Sequence, residues 1–329
     1  TALCSSLGKR LQADGKTVGY LKPLLVAATG TEAELDSDTE FVKKALGLKE
    51  SISPISLTAQ VLEAGQADDL LDKVKASYTE AAKDKDVVLI EGLSSMSEGA
   101  SKTSAGIAEA VDAKVVAVLR WNNKTAGNQL ISFSKLVKDR LVGAIINAVP
   151  ATMTDHVKSS LVPLLDANGI RTLGVIPEER SLLGTSVAEL VRSLDGEVLN
   201  SAERTNELVE SVMVGALSID SGLDYFKRKA NKAVITRGDR PDLQNAALET
   251  STKCLILTNG KDPIAQIRYR SEEKGVPMIK VQKDTLSTIA ALEEVFPKVR
   301  FQDERKLERF SEMVQKNLDL KAVYSALGI

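Results

Sequence analysis

A single histidine and a single tryptophan stand among 329 residues, with two cysteines and an aromatic content of only 4%. The lone His156 excludes multi-histidine metal centres and leaves little room for a Ser-His-Asp triad. Cys4 and Cys254 lie far apart in apolar segments, so no disulfide framework is available. Both read as buried free thiols in a reducing compartment, and the expected location is cytoplasmic. An excess of charge is also missing. The 43 basic and 45 acidic residues leave a net charge of −2 without blocks of one sign. That balance argues against nucleic acid or an anionic membrane surface as the main partner. No apolar run reaches membrane-spanning length, no signal peptide is visible at the start, and no repeat of solenoid period appears.

What is present is an alternation of short apolar strands with amphipathic helices. The first two-thirds offer strands at Val18–Lys22, Val87–Ile90, Val115–Leu119, Val142–Ile146 and Thr172–Val175. Their runs of Val, Ile and Leu suit parallel strands covered on both faces. Helices are expected at Asp38–Leu46, Ala59–Lys83, Thr103–Val111, Thr125–Val137 and Asp155–Ala167. The alternation predicts an α/β fold with a doubly wound parallel sheet. Asp195-Gly196-Glu197 and the polar run Asn200–Glu210 read as a domain end and a connecting helix. The expected division is residues 1–198 and 199–329. A second, smaller α/β alternation follows, with strands at Val212–Ala216, Ala233–Thr236, Cys254–Thr258 and Met278–Val281. Its helices are expected at Leu223–Lys229, Asp242–Thr250, Ile264–Glu273 and Leu286–Val295. Leu307, Phe310, Met313, Val314 and Leu318 share one face of a final helix, Glu304–Asn317, which reads as docked or as an oligomer contact.

The residues suited to chemistry sit at strand ends, where an open α/β sheet places its ligands. Thr1 opens directly into a helix that leads to the strand ending on Lys22-Pro23. The loop G-x-x-x-x-G-K-[ST] of P-loop proteins ends on such a hydroxyl, which binds Mg²⁺. On that reading a central strand and a lysine are expected upstream of Thr1. Asp36 and Asp38 precede the next helix, the strand Val87–Ile90 delivers Glu91, and Asn147 and Pro150 close another. A hydroxyl, carboxylates and a lysine on one edge are what Mg-nucleotide chemistry requires. Taken singly, Asp36 or Asp38 is equally a helix cap, Glu91 a solvated strand end and Lys22 a surface lysine. Trp121 reads as packing at a strand end, and His156 as an exposed residue at a helix start.

Together, Thr1, Tyr20-Leu21-Lys22-Pro23, Asp36-Ser37-Asp38, Leu89-Ile90-Glu91-Gly92, Asn147-Ala148-Val149-Pro150 and Leu173-Gly174-Val175-Ile176-Pro177 resemble the dethiobiotin-synthetase branch of P-loop proteins. The resemblance implies that Thr1, Asp38 and Glu91 ligate Mg²⁺, with Lys22 and Glu91 at the reacting centre. It implies that Asn147 faces the adenine of ATP and that Pro177 joins Thr1 and Asn147 in the nucleotide-binding set. Leu93-Ser94-Ser95-Met96-Ser97-Glu98-Gly99 replaces the family's glycine-rich stretch, a departure that tells against dethiobiotin synthesis itself.

The second region resembles the DRTGG domain through Ile235-Thr236-Arg237-Gly238-Asp239-Arg240-Pro241-Asp242, Leu257-Thr258-Asn259-Gly260 and Lys283-Asp284-Thr285. Asn259 stands where that pattern has a glycine. Asp239, Arg240, Thr258, Gly260 and Asp284 form a candidate anion site for a small metabolite, helped by N–H groups at helix starts. The aspartates fit helix capping as well. The order of the two regions is that of the N-terminal half of long phosphotransacetylases, whose acetyl-transfer domain lies further downstream. If Ile329 is a natural end, the chain is a stand-alone regulatory half. The leading expectation is a Mg-ATP-binding regulatory or sensor protein, with a homodimer implied by relatives. Open beside it are an ATP-dependent ligase activating a carboxylate or carbamate, and an oligomerisation scaffold without nucleotide.

Overall fold

The computed structural model describes residues 1–27, 37–49, 54–58, 68–93, 95–122, 126–215, 219–295, 301 and 303–329. It has two compact units, residues 1–178 with 301–329, and residues 179–300. Asp36, Ser94 and Thr125 lie outside the described residues, as does the first part of the helix expected over 59–83.

In the first unit, α1 (Ala2–Ala13) buries Leu7 and Leu11, and the chain turns at once into β1 (Val18–Leu21), all four residues of which are buried. β2 (Leu24–Ala27) follows directly and pairs in parallel with β3 (Ile55–Thr58). Neither strand is foreseen from sequence. Each directly follows a proline, Pro23 or Pro54, and Pro23 separates two strands where it reads as ending one. Beyond α2 (Ser37–Leu46) and α3 (Asp68–Ala81), β4 (Val87–Ile90) pairs in parallel with β1, Val18 opposite Val87 and Leu21 opposite Ile90.

Next come α4 (Glu98–Ala110), capped by Ser97, and β5 (Val115–Arg120), α5 (Ala126–Val137) and β6 (Leu141–Val149). A broken helix, α6, runs as Thr154–His156, a π-turn at Val157–Leu161 and a last segment Val162–Ala167. Pro163 has no N–H to give the preceding turn, which accounts for the widening there. β7 (Thr172–Pro177) completes a parallel β5-β6-β7 sheet over a core of Leu130, Phe133, Ile146, Val149, Val157 and Leu165. The expected strands are all found, but not as one ladder. Among the described residues they form a pair, β1-β4, and a triplet, β5-β6-β7.

The second unit begins with α7 (Arg180–Leu183), β8 (Thr185–Ser186), α8 (Val187–Leu194) and β9 (Glu197–Val198). β10 (Leu208–Val209) pairs with β8, antiparallel. There follow β11 (Ser211–Val214), α9 (Ile219–Lys227), β12 (Lys232–Arg237), α10 (Pro241–Leu248), β13 (Thr252–Thr258), α11 (Ala265–Glu273), β14 (Met278–Lys280) and α12 (Thr285–Val295). The sheet order is β11-β12-β13-β14-β9, parallel except for the edge strand β9. Val187, Leu190 and Leu194 of α8 pack on one face with Ile235, Ile256 and Ile279, while Phe226, Leu243, Leu255 and Leu257 fill the other.

The connecting helix expected within Asn200–Glu210 is absent. A short 3-10 turn, Ala202–Arg204, leads into β10 instead. Asn200 takes part in this local structure: its Nδ2 donates to the Val276 carbonyl and its Oδ1 accepts from Met278 N. The limit expected at residue 198 and that of the compact units at 178 differ because α8 and β9 bury their apolar residues in the second unit's core.

The chain then returns to the first unit. α13 (Glu304–Asn317) buries Leu307, Phe310, Met313 and Val314, and α14 (Leu320–Leu327) follows. Phe301 meets Phe310 at 5.6 Å and Phe41 of α2 at 6.1 Å, both edge to face. Gly174 in β7 bridges to Leu318, Asp319 N donates to Leu173 O at 2.7 Å, and Tyr324 OH donates to Asp14 at the end of α1.

Candidate nucleotide site

Thr1 occupies the N-cap of α1, where a threonine hydroxyl usually accepts from an N–H of the first turn. It makes no such bond. Its Oγ1 donates instead to Glu91 Oε1 at 2.8 Å. Glu91 leaves the end of β4 beside β1, and the register that sets Tyr20 opposite Leu89 lets the Tyr20 hydroxyl donate to Glu91 Oε2 at 2.7 Å. The Thr1 and Tyr20 hydroxyls thus occupy both oxygens of the half-buried Glu91 carboxylate. Lys22, one residue past β1, pairs with Asp38 in the first turn of α2 at 3.4 Å. Leu21 stands opposite Ile90, so Lys22 with Asp38 and Glu91 with Thr1 come together at one end of the β1-β4 pair.

The donors here are a hydroxyl and two carboxylates, all hard oxygens. That set fits Mg²⁺, which keeps several waters and takes few protein ligands. Among the described residues no three His, Cys, Asp or Glu side chains cluster as a self-sufficient metal centre. Tyr20 is the member that sequence reasoning passed over. Its signal is a phenol in an otherwise apolar, buried strand, where the hydroxyl needs a partner.

Asn147 and Pro177 belong to a separate cluster at the ends of β6 and β7, where Val149 stands opposite Pro177. Asn147 Oδ1 accepts from Ala148 N at 2.8 Å and supports a φ of +56° at Ala148. Among the described residues no hydrogen bond or ion pair joins Asn147 or Pro177 to Glu91.

In the second unit, the loops after β12, β13 and β14 share one edge of the sheet. Asp239 accepts from Arg237 at 2.6 Å and from Lys261 at 2.8 Å, and these bonds pull its carboxyl down to about 2. The first two loops pack backbone to backbone: a Cβ at Gly238 would stand 2.0 Å from the Lys261 carbonyl. Arg240 grips Asp242, and Thr258 Oγ1 lies 3.0 Å from Thr285 Oγ1. Asp284 accepts from Ser287 N at 2.7 Å, a cap on α12. Gly260, at φ +62°, turns the second loop. The cations of this edge are largely matched by its own carboxylates.

An open parallel α/β unit with a hydroxyl, a lysine and two carboxylates at strand ends, followed by a smaller parallel α/β unit, defines a two-domain protein of P-loop type. The chain belongs to the AAA-domain family: that family's model matches residues 1–186, and the DRTGG-domain model matches residues 189–295. It is similar to the phosphate acetyltransferase of Haemophilus influenzae, 24% identical over 360 residues, covering 97% of this chain and 50% of that protein. The phosphate acetyltransferase of Nitratidesulfovibrio vulgaris is 26% identical over 356 residues, covering 99% and 50%. The chain thus spans about half the length of these relatives. A solved structure of the CBS and DRTGG domains of the Clostridium perfringens pyrophosphatase regulatory region, complexed with diadenosine tetraphosphate, is 19% identical. It covers 46% of this chain and 72% of that one, with a TM-score of 0.30, too low to define a shared arrangement.

Proposed function

We propose that the first unit binds a magnesium nucleoside triphosphate, ATP being the expected one, and that the chain serves as a nucleotide-responsive regulatory module. The observation that carries this reading is the Thr1 hydroxyl turned away from its own helix onto Glu91, with the Lys22–Asp38 pair beside it. Thr1, Glu91 and Asp38 would hold the cation, and bound Mg²⁺ would neutralise phosphate charge. Lys22 would exchange Asp38 for a phosphate oxygen, a charge-assisted bond of the same kind. Tyr20 keeps the Glu91 carboxylate oriented by its hydrogen bond. Relatives named as acetyltransferases are about twice as long, and a regulatory role for this half fits that proportion.

Calorimetric titration of the chain with ATP tests the reading. Binding is expected with Mg²⁺, lost on chelation, and weakened at least about tenfold in Glu91→Gln, a change of roughly 1.4 kcal/mol. Equal affinity without Mg²⁺, or an unchanged affinity in Glu91→Gln, would refute it.

A further inference from the structure

Helix α2 carries Asp38 in its first turn and the buried ring of Phe41 one turn later, so both lie on neighbouring positions of one helix. Val42 and Leu46 seat α2 along a single line, against Val18 and Tyr20. Contact along one line leaves a helix able to roll about its axis, and a second contact at another angle stops the roll. At 3.6 residues per turn, consecutive side chains point about 100° apart, so Phe41 stands well away from the line of Val42. It meets Phe301 edge to face at 6.1 Å, and Phe301 meets the buried Phe310 of α13 at 5.6 Å. Lys44 of α2 also reaches Glu304 of α13 at 3.1 Å, but both side chains are largely exposed and such a pair holds little. The aromatic contact is the brace.

The angle of α2 matters to Asp38. A carboxylate ~5 Å from a helix axis travels about 1 Å for a roll of roughly 10°. Mg²⁺ demands near-ideal octahedral ligands at about 2.0–2.1 Å, so a displacement of that size costs it a ligand.

We propose that Phe301 is a positioning residue for Asp38, acting through Phe41 to hold α2 at the angle that presents the carboxylate to the cation. The proposal rests on the nucleotide reading above. It adds a residue that touches neither phosphate nor metal, and that is the first residue of the chain's return from the second unit.

The test is a double-mutant cycle on the full chain, read as Mg-ATP affinity by calorimetry. Phe301→Leu keeps apolar volume at a partly exposed position but loses the ring edge, and is expected to weaken Mg-ATP about tenfold. Phe301→Tyr keeps the ring and is expected to bind as the parent does. In an Asp38→Asn background, Phe301→Leu is expected to cost nothing further, because the carboxylate it positions is gone. A merely structural loosening would weaken binding in both backgrounds. Unchanged affinity in Phe301→Leu, an equal loss in Phe301→Tyr, or a loss that adds to that of Asp38→Asn would each overturn the proposal while leaving the nucleotide reading intact. A parent chain that binds no Mg-ATP would overturn the two together.

Discussion

A hydroxyl at a helix N-cap normally satisfies a free N–H of its own first turn, and Thr1 gives its proton to Glu91 instead. The polar choices of single residues are similarly informative elsewhere. Lys232 is fully buried at the start of β12, and its Nζ donates to Thr250 Oγ1 at 2.8 Å and to the Ser251 carbonyl at 3.0 Å. Burial pushes the ammonium down to about 8. Between about pH 8 and the unfolded value of 10.5 the unfolded chain binds more protons than the folded one, so stability must rise with pH across that window. Denaturant unfolding should therefore show Lys232→Met gaining stability relative to the parent at pH 7. The gap, on the order of 2 kcal/mol, should close by pH 10.5. A pH-independent difference would mean that the lysine contributes through packing alone. Lys22 and Glu91 stood out as candidates in the sequence because strand ends mark them, and Asp38 because it opens a helix. Lys232 was not, since a lysine at the head of a strand reads as solvent-facing until the fold covers it.

At the scale of the element, the contacts of β7 with the returning tail depend on one residue without a side chain. A Cβ at Gly174 would lie 2.3 Å from the Asn317 carbonyl and 2.8 Å from Leu318. Because the nearest atom belongs to backbone, the tail must move as a body. Gly174→Ala is expected to cost about 1–3 kcal/mol in denaturant unfolding. Amide exchange in α13 and α14 should accelerate first, and unaltered protection there would show that the tail gives way without loosening. The strands rich in Val, Ile and Leu were readable because their apolar runs stand out between amphipathic helices, even in the short β1, β4 and β14. β8, β9 and β10, at two residues, have no period to read, and only tertiary pairing creates them, while β2 and β3 sit directly after Pro23 and Pro54, which read as loop. The apolar face of α13 was visible as a stripe, whereas its destination against Phe301, Gly174 and the end of α1 required the fold.

On the scale of the whole molecule, the second unit is an insertion in the first, entered after β7 and left before α13. Each unit has its own core, and the tail belongs to only one of them. Deleting residues 301–329 is therefore expected to lower the first unit's transition in scanning calorimetry and leave the second unit's in place. A common downward shift of both would show that the units unfold as one. The two-domain order was legible from the spacing of strand and helix patterns. The insertion was not, because nothing in a linear chain tells a closing helix from a further piece of the preceding domain.

That insertion sets an order of events on the ribosome. After β7 emerges, the face of the first unit that receives Leu307, Phe310 and Met313 waits until about another 130 residues have been made. At ~5–20 residues per second this takes roughly 7–26 s. The second unit can complete its sheet within that time, so the N-terminal half of the chain is the last to close.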